Sequence, residues 1–260
     1  MLKYKIYIMD QETSSDQNNK DDKPLPIWVL LIYPIFLIFV LGLFLFPISR
    51  WAWDWWEAWV VLGVMGVLIG AGFILINLKN PRTLRNRMKI KKEGLTKETK
   101  KSARSDLFVF PIMIVGFFGS FVYPAVEKRF EGSWGVYPYP IPWWIEIIGM
   151  LVMTIGWVIV IAAQVQNAYA SKILDINKEQ KLIDTGLYSK IRHPLYSGVC
   201  LWSIGIPLSL GSVVALVGSI IIFLSLVIRI KFEEDMLIKG MDGYDDYKKR
   251  VKYKLIPGIY

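Results

Sequence analysis

PLYSGVCLWSIGIPLSLGSVVALVGSIIIFLSLVI, residues 194–228, contains no charged side chain. At about 1.5 Å of rise per residue, a helix needs about 20 residues to cross roughly 30 Å of hydrocarbon. This run of 35 is too long for one ordinary crossing, and Gly205-Ile-Pro-Leu-Ser-Leu-Gly211 interrupts it near its middle. It reads as two helical arms joined by a tight turn. The first arm, residues 195–206, is short for a full crossing and reads as partly re-entrant. Four more uncharged runs precede it, at 24–49, 58–78, 107–126 and 147–171, each sufficient for one crossing. The predicted fold class is therefore all-α: a multispanning integral membrane protein with about six membrane helices, the last two a C-terminal helical hairpin. A composition of 54% hydrophobic and 14% aromatic residues, with 11 Trp, agrees with that class rather than with a soluble domain.

The basic residues sort by loop. Four Lys lie in the tail 1–23, eleven Lys or Arg in 79–106, five in 164–194 and seven in 231–260. The alternate connections hold only Arg50, Lys128 and Arg129. This alternation predicts an even number of crossings, with both termini and the loop 79–106 in the cytoplasm. The net charge of +9 is then mostly a topology signal, and anionic headgroups rather than nucleic acid account for the basic loop. Trp51, Trp53, Trp55, Trp56 and Trp59, and again Trp134, Tyr137, Tyr139, Trp143 and Trp144, gather at the opposite membrane edge, where amphipathic rings anchor. Gly66 and Gly70, four apart in the second span, predict a close approach of another helix.

Several chemistries are excluded. With one His (His193) and one Cys (Cys200), the chain has no two-His metal site and no internal disulfide. Cys200, inside an apolar arm, reads as a small buried hydrophobe. No Gly-x-Gly-x-x-Gly follows a strand, so a nucleotide-like cofactor would need another architecture. Residues 1–23 are polar and of mixed charge, without the apolar core of a signal peptide, and predict a disordered tail. The change of character at Met9 marks an alternative start.

The remaining polar residues concentrate in 164–196 and 229–260, which border the apolar arms. Gly186 suits a turn in Lys181-Leu-Ile-Asp-Thr-Gly-Leu-Tyr188. Pro194 disfavours a helical His193 and is placed to open the next helix, setting Arg192 and His193 at a helix N-terminus suited to an anion. In Arg229-Ile-Lys-Phe-Glu233-Glu234-Asp235, Arg229 and Glu233 share a helix face. Arg229 ends a long uncharged run, where a cation has a partner or a function. The bland alternative is a local Arg229–Glu233 pair, with Arg229 snorkelling to the interface.

Arg192-His193-Pro194-x-Tyr196, followed by Glu233-Glu234, resembles the signature of the isoprenylcysteine carboxyl methyltransferases, and the phospholipid N-methyltransferases share a similar pattern. Leu182-Ile183 and Gly186-Leu-Tyr188 before it, and Tyr244-x-x-Tyr247 with Pro257 after it, match as well. The resemblance covers roughly 164–260, and Asn80-Pro-x-x-Leu-x-x-Arg87 is similar to prokaryotic members. With the runs read above, it gives three regions: a polar cytoplasmic tail over 1–23, four spans over 24–163, and a cofactor-binding catalytic region with a membrane hairpin over 164–260. It implies S-adenosyl-L-methionine as cofactor, lined by Gln180, Lys181, Leu182, Ile183, Tyr188, His193, Pro194, Leu195 and Tyr196. Glu233 would bind the cofactor near its amino group or sulfonium, with Glu234 adding charge complementarity. Arg229 would face the methyl acceptor, so that Arg229 and Glu233 are the catalytic pair. The chain departs from the family where Gln180 stands in place of a common His, and in a longer link 164–179; Gln164, Gln166 and Asn167 are candidates for the polar contact displaced there.

The implied acceptor is lipophilic, prenylated cysteine-like or phospholipid. An ionised carboxylate needs no general base but needs a cation to orient it, which suits Arg229. An amine would be repelled by Arg229 and would need a base, for which His193 is the only imidazole. Carboxyl methylation is therefore the first expectation and phospholipid N-methylation the second. A sterol-type reductase and a non-catalytic membrane scaffold are the alternatives of other classes. The expected location is the cell membrane, multi-pass, with membrane lipids as partners.

Overall fold

Long uncharged runs form helices here because a backbone buried in hydrocarbon must satisfy its own hydrogen bonds. The structure is a computed structural model describing residues 24–81, 84, 97–130 (backbone alone before Asp106), 141–167 and 182–260. The tail 1–23, Arg87, Trp134, Tyr137, Tyr139, Gln180 and Lys181 lie outside the described residues. Seven α-helices are described: α1 (Ile27–Ile48), α2 (Trp56–Lys79), α3 (Lys97–Arg129), α4 (Trp143–Gln166), α5 (Pro194–Ser209), α6 (Leu216–Gly240) and α7 (Tyr244–Arg250). No strand occurs among the described residues. The protein is all-α.

Among the described residues, four helices are long and apolar enough to cross a membrane: α1, α2, α3 from Asp106 to Arg129, and α4. The expected hairpin forms, with α5 and α6 joined by a turn in which Gly211 takes a φ of +81°. Its first arm is indeed short: α5 has 16 residues, or roughly 24 Å at 1.5 Å each. The 25 residues of α6 carry Arg229 and the acidic cluster within the same unbroken helix.

The tightest seam joins α4 to α5, through glycines seven residues apart on each helix. A Cβ at Gly198 would meet Gly156 O at 2.7 Å, and one at Gly149 would meet Ser209 N at 2.5 Å. Gly218 packs likewise against Gly116 and Ser120, joining α6 to α3. Gly66 and Gly70 do not mark the closest approach. A Cβ at Gly70 would meet nothing within 4 Å, and one at Gly66 would make ordinary contact with Ile38 at 3.4 Å. In the second span it is Gly72 that lies close, under Ile161 and Trp157.

The two ends of the bundle differ. At one end Trp51, Trp53 and Trp59 are exposed and stack with one another and with Phe46, and Trp143 and Trp144 are exposed at the start of α4. Trp55 departs from the expected anchoring edge: at 3% exposure it belongs to the core with Leu45 and Val61. At the other end lie the last turns of α2, α4 and α6 and the first turns of α3 and α5. The side chain of Asn77 clips Leu25 there, accepting from its N–H at 2.7 Å and donating to its carbonyl at 3.0 Å. Asn80 donates to Val165 O at 3.3 Å. This is the end to which the basic loops belong.

Candidate active site

The approach to α5 is built around one glycine. Gly186 adopts a φ of +59°, and a Cβ there would meet Gln166 Oε1 at 2.6 Å. The same Oε1 accepts the Leu187 N–H at 2.9 Å, so Gln166, at the end of α4, fixes a 3-10 turn over Gly186–Ser189. That turn buries Tyr188, whose hydroxyl reaches toward Ala163 O at 3.5 Å and whose carbonyl accepts the Tyr247 hydroxyl at 2.7 Å. Leu182 packs against Tyr244, Tyr247 and Val251, and Ile183 is half-buried beside it in sequence. Burial drives both Tyr244 and Tyr247 phenols upward, which keeps the Tyr247 hydroxyl protonated as a donor.

Pro194 opens α5 as expected, with His193 as the non-helical residue before it. The extended pair Arg192-His193 runs beside the C-terminal segment. Arg192 N donates to Tyr253 O at 3.0 Å and His193 N to Lys254 O at 2.9 Å. Ser197 Oγ donates to Leu255 O at 2.6 Å. The C-terminal segment is thus a strap across the mouth of the hairpin, held by hydrogen bonds to the motif itself.

Under this strap lies the first charge cluster. Arg192 Nε donates to Glu234 Oε1 at 2.6 Å, and Arg192 Nη1 donates to Val251 O and Lys252 O at 2.6 and 2.9 Å. His193 Nε2 lies 3.4 Å from the same Glu234 oxygen, and Lys254 Nζ 3.4 Å from the other. Glu234 is only 4% exposed. Burial alone would raise its carboxyl, but the hydrogen bonds from His193 and Arg192 and their charges outweigh that and lower it to about 2. The Glu234 carboxylate is therefore taken up internally, whereas Glu233, next along the helix, is half-buried.

The second cluster centres on Arg229, 4% exposed on α6. Its Nη1 pairs with Asp106 Oδ1 at 2.6 Å, and its Nε donates to the Tyr196 hydroxyl at 2.9 Å. That hydroxyl donates in turn to Glu233 Oε2 at 2.5 Å. Phe110 lies under the guanidinium, with its ring centroid 4.7 Å from Cζ. The Tyr196 ring stacks on His193 at 5.6 Å and 6°. Arg229 and Glu233 therefore share a face, as their spacing requires, but Tyr196 stands between them. Arg229 does not snorkel; it is held inside the protein.

His193, Pro194, Leu195, Tyr196, Arg229, Glu233 and Glu234 are thus brought together at one end of the hairpin, with Leu182, Ile183 and Tyr188 on its flank. Asp106 and Phe110 escaped the sequence reading, because an acid at the edge of a charged loop and a Phe in a span are both ordinary there. The signal available was their spacing: four apart, they share one face of α3. The carbonyls that hold Arg192 have no sequence signature at all. Of the polar candidates in the link, Gln166 is engaged by the turn, and Gln164 is buried.

Comparison with known proteins bears on this same segment. Residues 145–239 match the isoprenylcysteine carboxyl methyltransferase (ICMT) family. The protein-S-isoprenylcysteine O-methyltransferase of Schizosaccharomyces pombe is 35% identical over 77 residues, covering 29% of this chain and 33% of that protein. Protein-S-isoprenylcysteine O-methyltransferase B of Arabidopsis thaliana is 30% identical over 115 residues, covering 42% of this chain and 58% of that one. The match thus spans between a third and about three fifths of these relatives' length. A solved structure described as the eukaryotic intramembrane Ras methyltransferase ICMT aligns with a TM-score of 0.45 at 17% identity, over 89% of this chain and 85% of that one. The segment that carries α4, the His193 motif and the acidic cluster is thus similar to the isoprenylcysteine carboxyl methyltransferase family.

Proposed function

We propose that the chain is an integral membrane S-adenosylmethionine-dependent methyltransferase that methylates the carboxylate of a lipophilic, prenylcysteine-like acceptor. One observation carries the reading. Glu233 and Arg229, one turn apart on α6, are joined through the Tyr196 hydroxyl where the apolar hairpin meets the polar strap. A carboxylate that favours a cationic donor thereby sits beside a guanidinium that favours an anionic acceptor. The relatives matched over this segment carry the name O-methyltransferase.

The residues suit the cofactor. Glu233 offers a half-buried carboxylate, the parallel His193 and Tyr196 rings offer flat faces, and Leu182 and Ile183 offer apolar wall. S-adenosylmethionine supplies a methyl group on a positively charged sulfur. Glu233 is assigned to hold that positive end, and Tyr196 to orient Glu233. Glu234, engaged by Arg192, His193 and Lys254, is assigned to shaping the pocket rather than to touching the cofactor. Arg229 is assigned to the acceptor. No base is needed for a carboxylate; position and exclusion of water do most of the work. In this reading both termini and the site lie on the cytoplasmic side of the cell membrane, which the concentration of Lys and Arg in alternate connections supports.

A second reading has one observation in its favour. Asp106 pairs with Arg229, so the guanidinium is less repulsive to an amine than a lone Arg would be. Phospholipid N-methylation therefore stands as the alternative. Membranes containing the protein are incubated with methyl-labelled S-adenosylmethionine and either an N-acylated S-prenylcysteine or phosphatidylethanolamine vesicles. Label on the prenylcysteine, released as volatile methanol by alkali, is the expected result. Alkali-stable label on the phospholipid would establish the amine reading. Absence of transfer, with no binding of the cofactor to folded protein, would leave a reductase or a scaffold.

A further inference from the structure

Asp106 stands where α3 turns apolar, at the first position of the span Asp106–Arg129. It is 4% exposed and meets Arg229 across 123 positions of sequence. It also lies outside the segment 145–239 that carries the family likeness. Phe110, one helical turn further on, puts its ring under the same guanidinium. Two helices, α3 and α5, therefore hold this side chain of α6, and a further contact, Tyr196 to Glu233, links it to the cofactor side. A guanidinium is a rigid plane of five N–H donors. Holding Nη1 and Nε at once sets the direction of every other donor on it.

We propose that Asp106 is a positioning residue for methyl transfer, acting through Arg229. This rests on the methyltransferase reading above. Asp106 sets the rotamer and plane of the guanidinium, with Phe110 as its floor, so that an acceptor carboxylate is presented along the line of the donor methyl. It also keeps Arg229 at the distance from Tyr196 at which that hydroxyl still reaches Glu233. Loss of the Asp106 charge lets the guanidinium turn toward Glu233, and the line between acceptor and donor is lost. A misplacement of about 1 Å at a reacting centre costs up to about a hundredfold in rate. A carboxylate that only neutralised a buried Arg would act differently: its loss would lower the amount of folded protein and leave the turnover of each folded molecule alone.

The test uses full-length wild type, Asp106→Asn, Asp106→Glu and Phe110→Leu. Methylation of an N-acylated S-prenylcysteine is followed against acceptor concentration and normalised to folded protein, and cofactor affinity is measured by calorimetry. Asp106→Asn should lower kcat about tenfold or more, with cofactor Kd within about threefold of wild type. Asp106→Glu should recover part of that loss, and Phe110→Leu, which changes no charge, should lower kcat about threefold. A kcat for Asp106→Asn within about twofold of wild type overturns the proposal, as does a loss of cofactor affinity in step with the loss of rate. Should Asp106→Asn fail to fold, an unchanged kcat in Phe110→Leu overturns it and a reduced one supports it. An inactive wild type instead overturns the methyltransferase reading itself, and the positioning role falls with it.

Discussion

Two arginines lie buried at the same end of the hairpin, and the partners described for them differ. Arg192 is clasped by one carboxylate and by two backbone carbonyls of the strap, with His193 and Lys254 sharing Glu234. The contacts described for Arg229 are with side chains from α3 and α5, namely Asp106, Phe110 and Tyr196. Backbone carbonyls cannot move without refolding the strap, whereas a side-chain cage can rearrange by rotamer changes. The first cluster is therefore suited to building a wall and the second to meeting a ligand, and substitutions should separate the two by kind of effect.

The largest effect is expected at the wall. Arg192→Ala leaves Glu234 buried without its main partner and two strap carbonyls without a donor. Breaking one side of a buried pair costs about 3–5 kcal/mol. Thermal unfolding should show a lower Tm, together with easier proteolysis of the strap. An unchanged Tm would move Arg192 out of the structural class and erase the contrast with Arg229.

Acid should loosen the same cluster. Glu234 titrates near the ordinary 4.5 when unfolded and at about 2 when folded. A carboxyl lowered on folding contributes stability that is fully present above the unfolded value and lost as pH falls through the folded one. The Glu234 contribution should therefore be intact at pH 6 and fade between about 4.5 and about 2. Unfolding of wild type and Glu234→Gln across that window should converge as pH falls. Parallel curves would place the pH dependence elsewhere.

At the other extreme is the surface pair Arg250–Asp184, 2.7 Å apart with the Arg side chain mostly exposed. It also joins the strap region to the approach loop, but in water. Arg250→Ala should cost well under 1 kcal/mol, because exposed ion pairs are screened and entropically opposed. A loss comparable to that of Arg192→Ala would show that strap docking depends on the long-range charge rather than on the buried clasp.

The same contrast explains what could be read from the sequence. The hairpin was legible because charge-free length and the Gly211 turn are local signals, although Pro207, expected in the break, lies inside α5. Pro194 likewise announces the start of α5. The prominence of Arg229 was legible from its depth, yet its partner was not, since Asp106 lies 123 positions away and looks like the end of a basic loop. The i,i+4 rule pointed instead to Glu233, and the hydroxyl of Tyr196 intervenes. The clasp on Arg192 was invisible for another reason: its partners are carbonyls, which every residue possesses. The helix seam was legible in principle, in the matched seven-residue spacing of Gly149 and Gly156 on α4 and Gly198 and Gly205 on α5. The four-residue spacing of Gly66 and Gly70 drew attention away from it, although composition alone does not say which face of a glycine-bearing helix is covered.

In the proposed site Glu233 stands on the cofactor side and Arg229 on the acceptor side, and parallel measurement of cofactor affinity and turnover tests that division directly. Glu233→Gln should weaken S-adenosylmethionine binding about ten- to hundredfold, the range for losing a charge-assisted hydrogen bond. Arg229→Ala should sharply reduce turnover with cofactor affinity within a few-fold of wild type, and Arg229→Lys should rescue it only partly, because a point charge does not replace a planar fork. Near-wild-type turnover in folded Arg229→Ala would contradict the account, removing Arg229 from the active site and with it the case for a carboxylate acceptor.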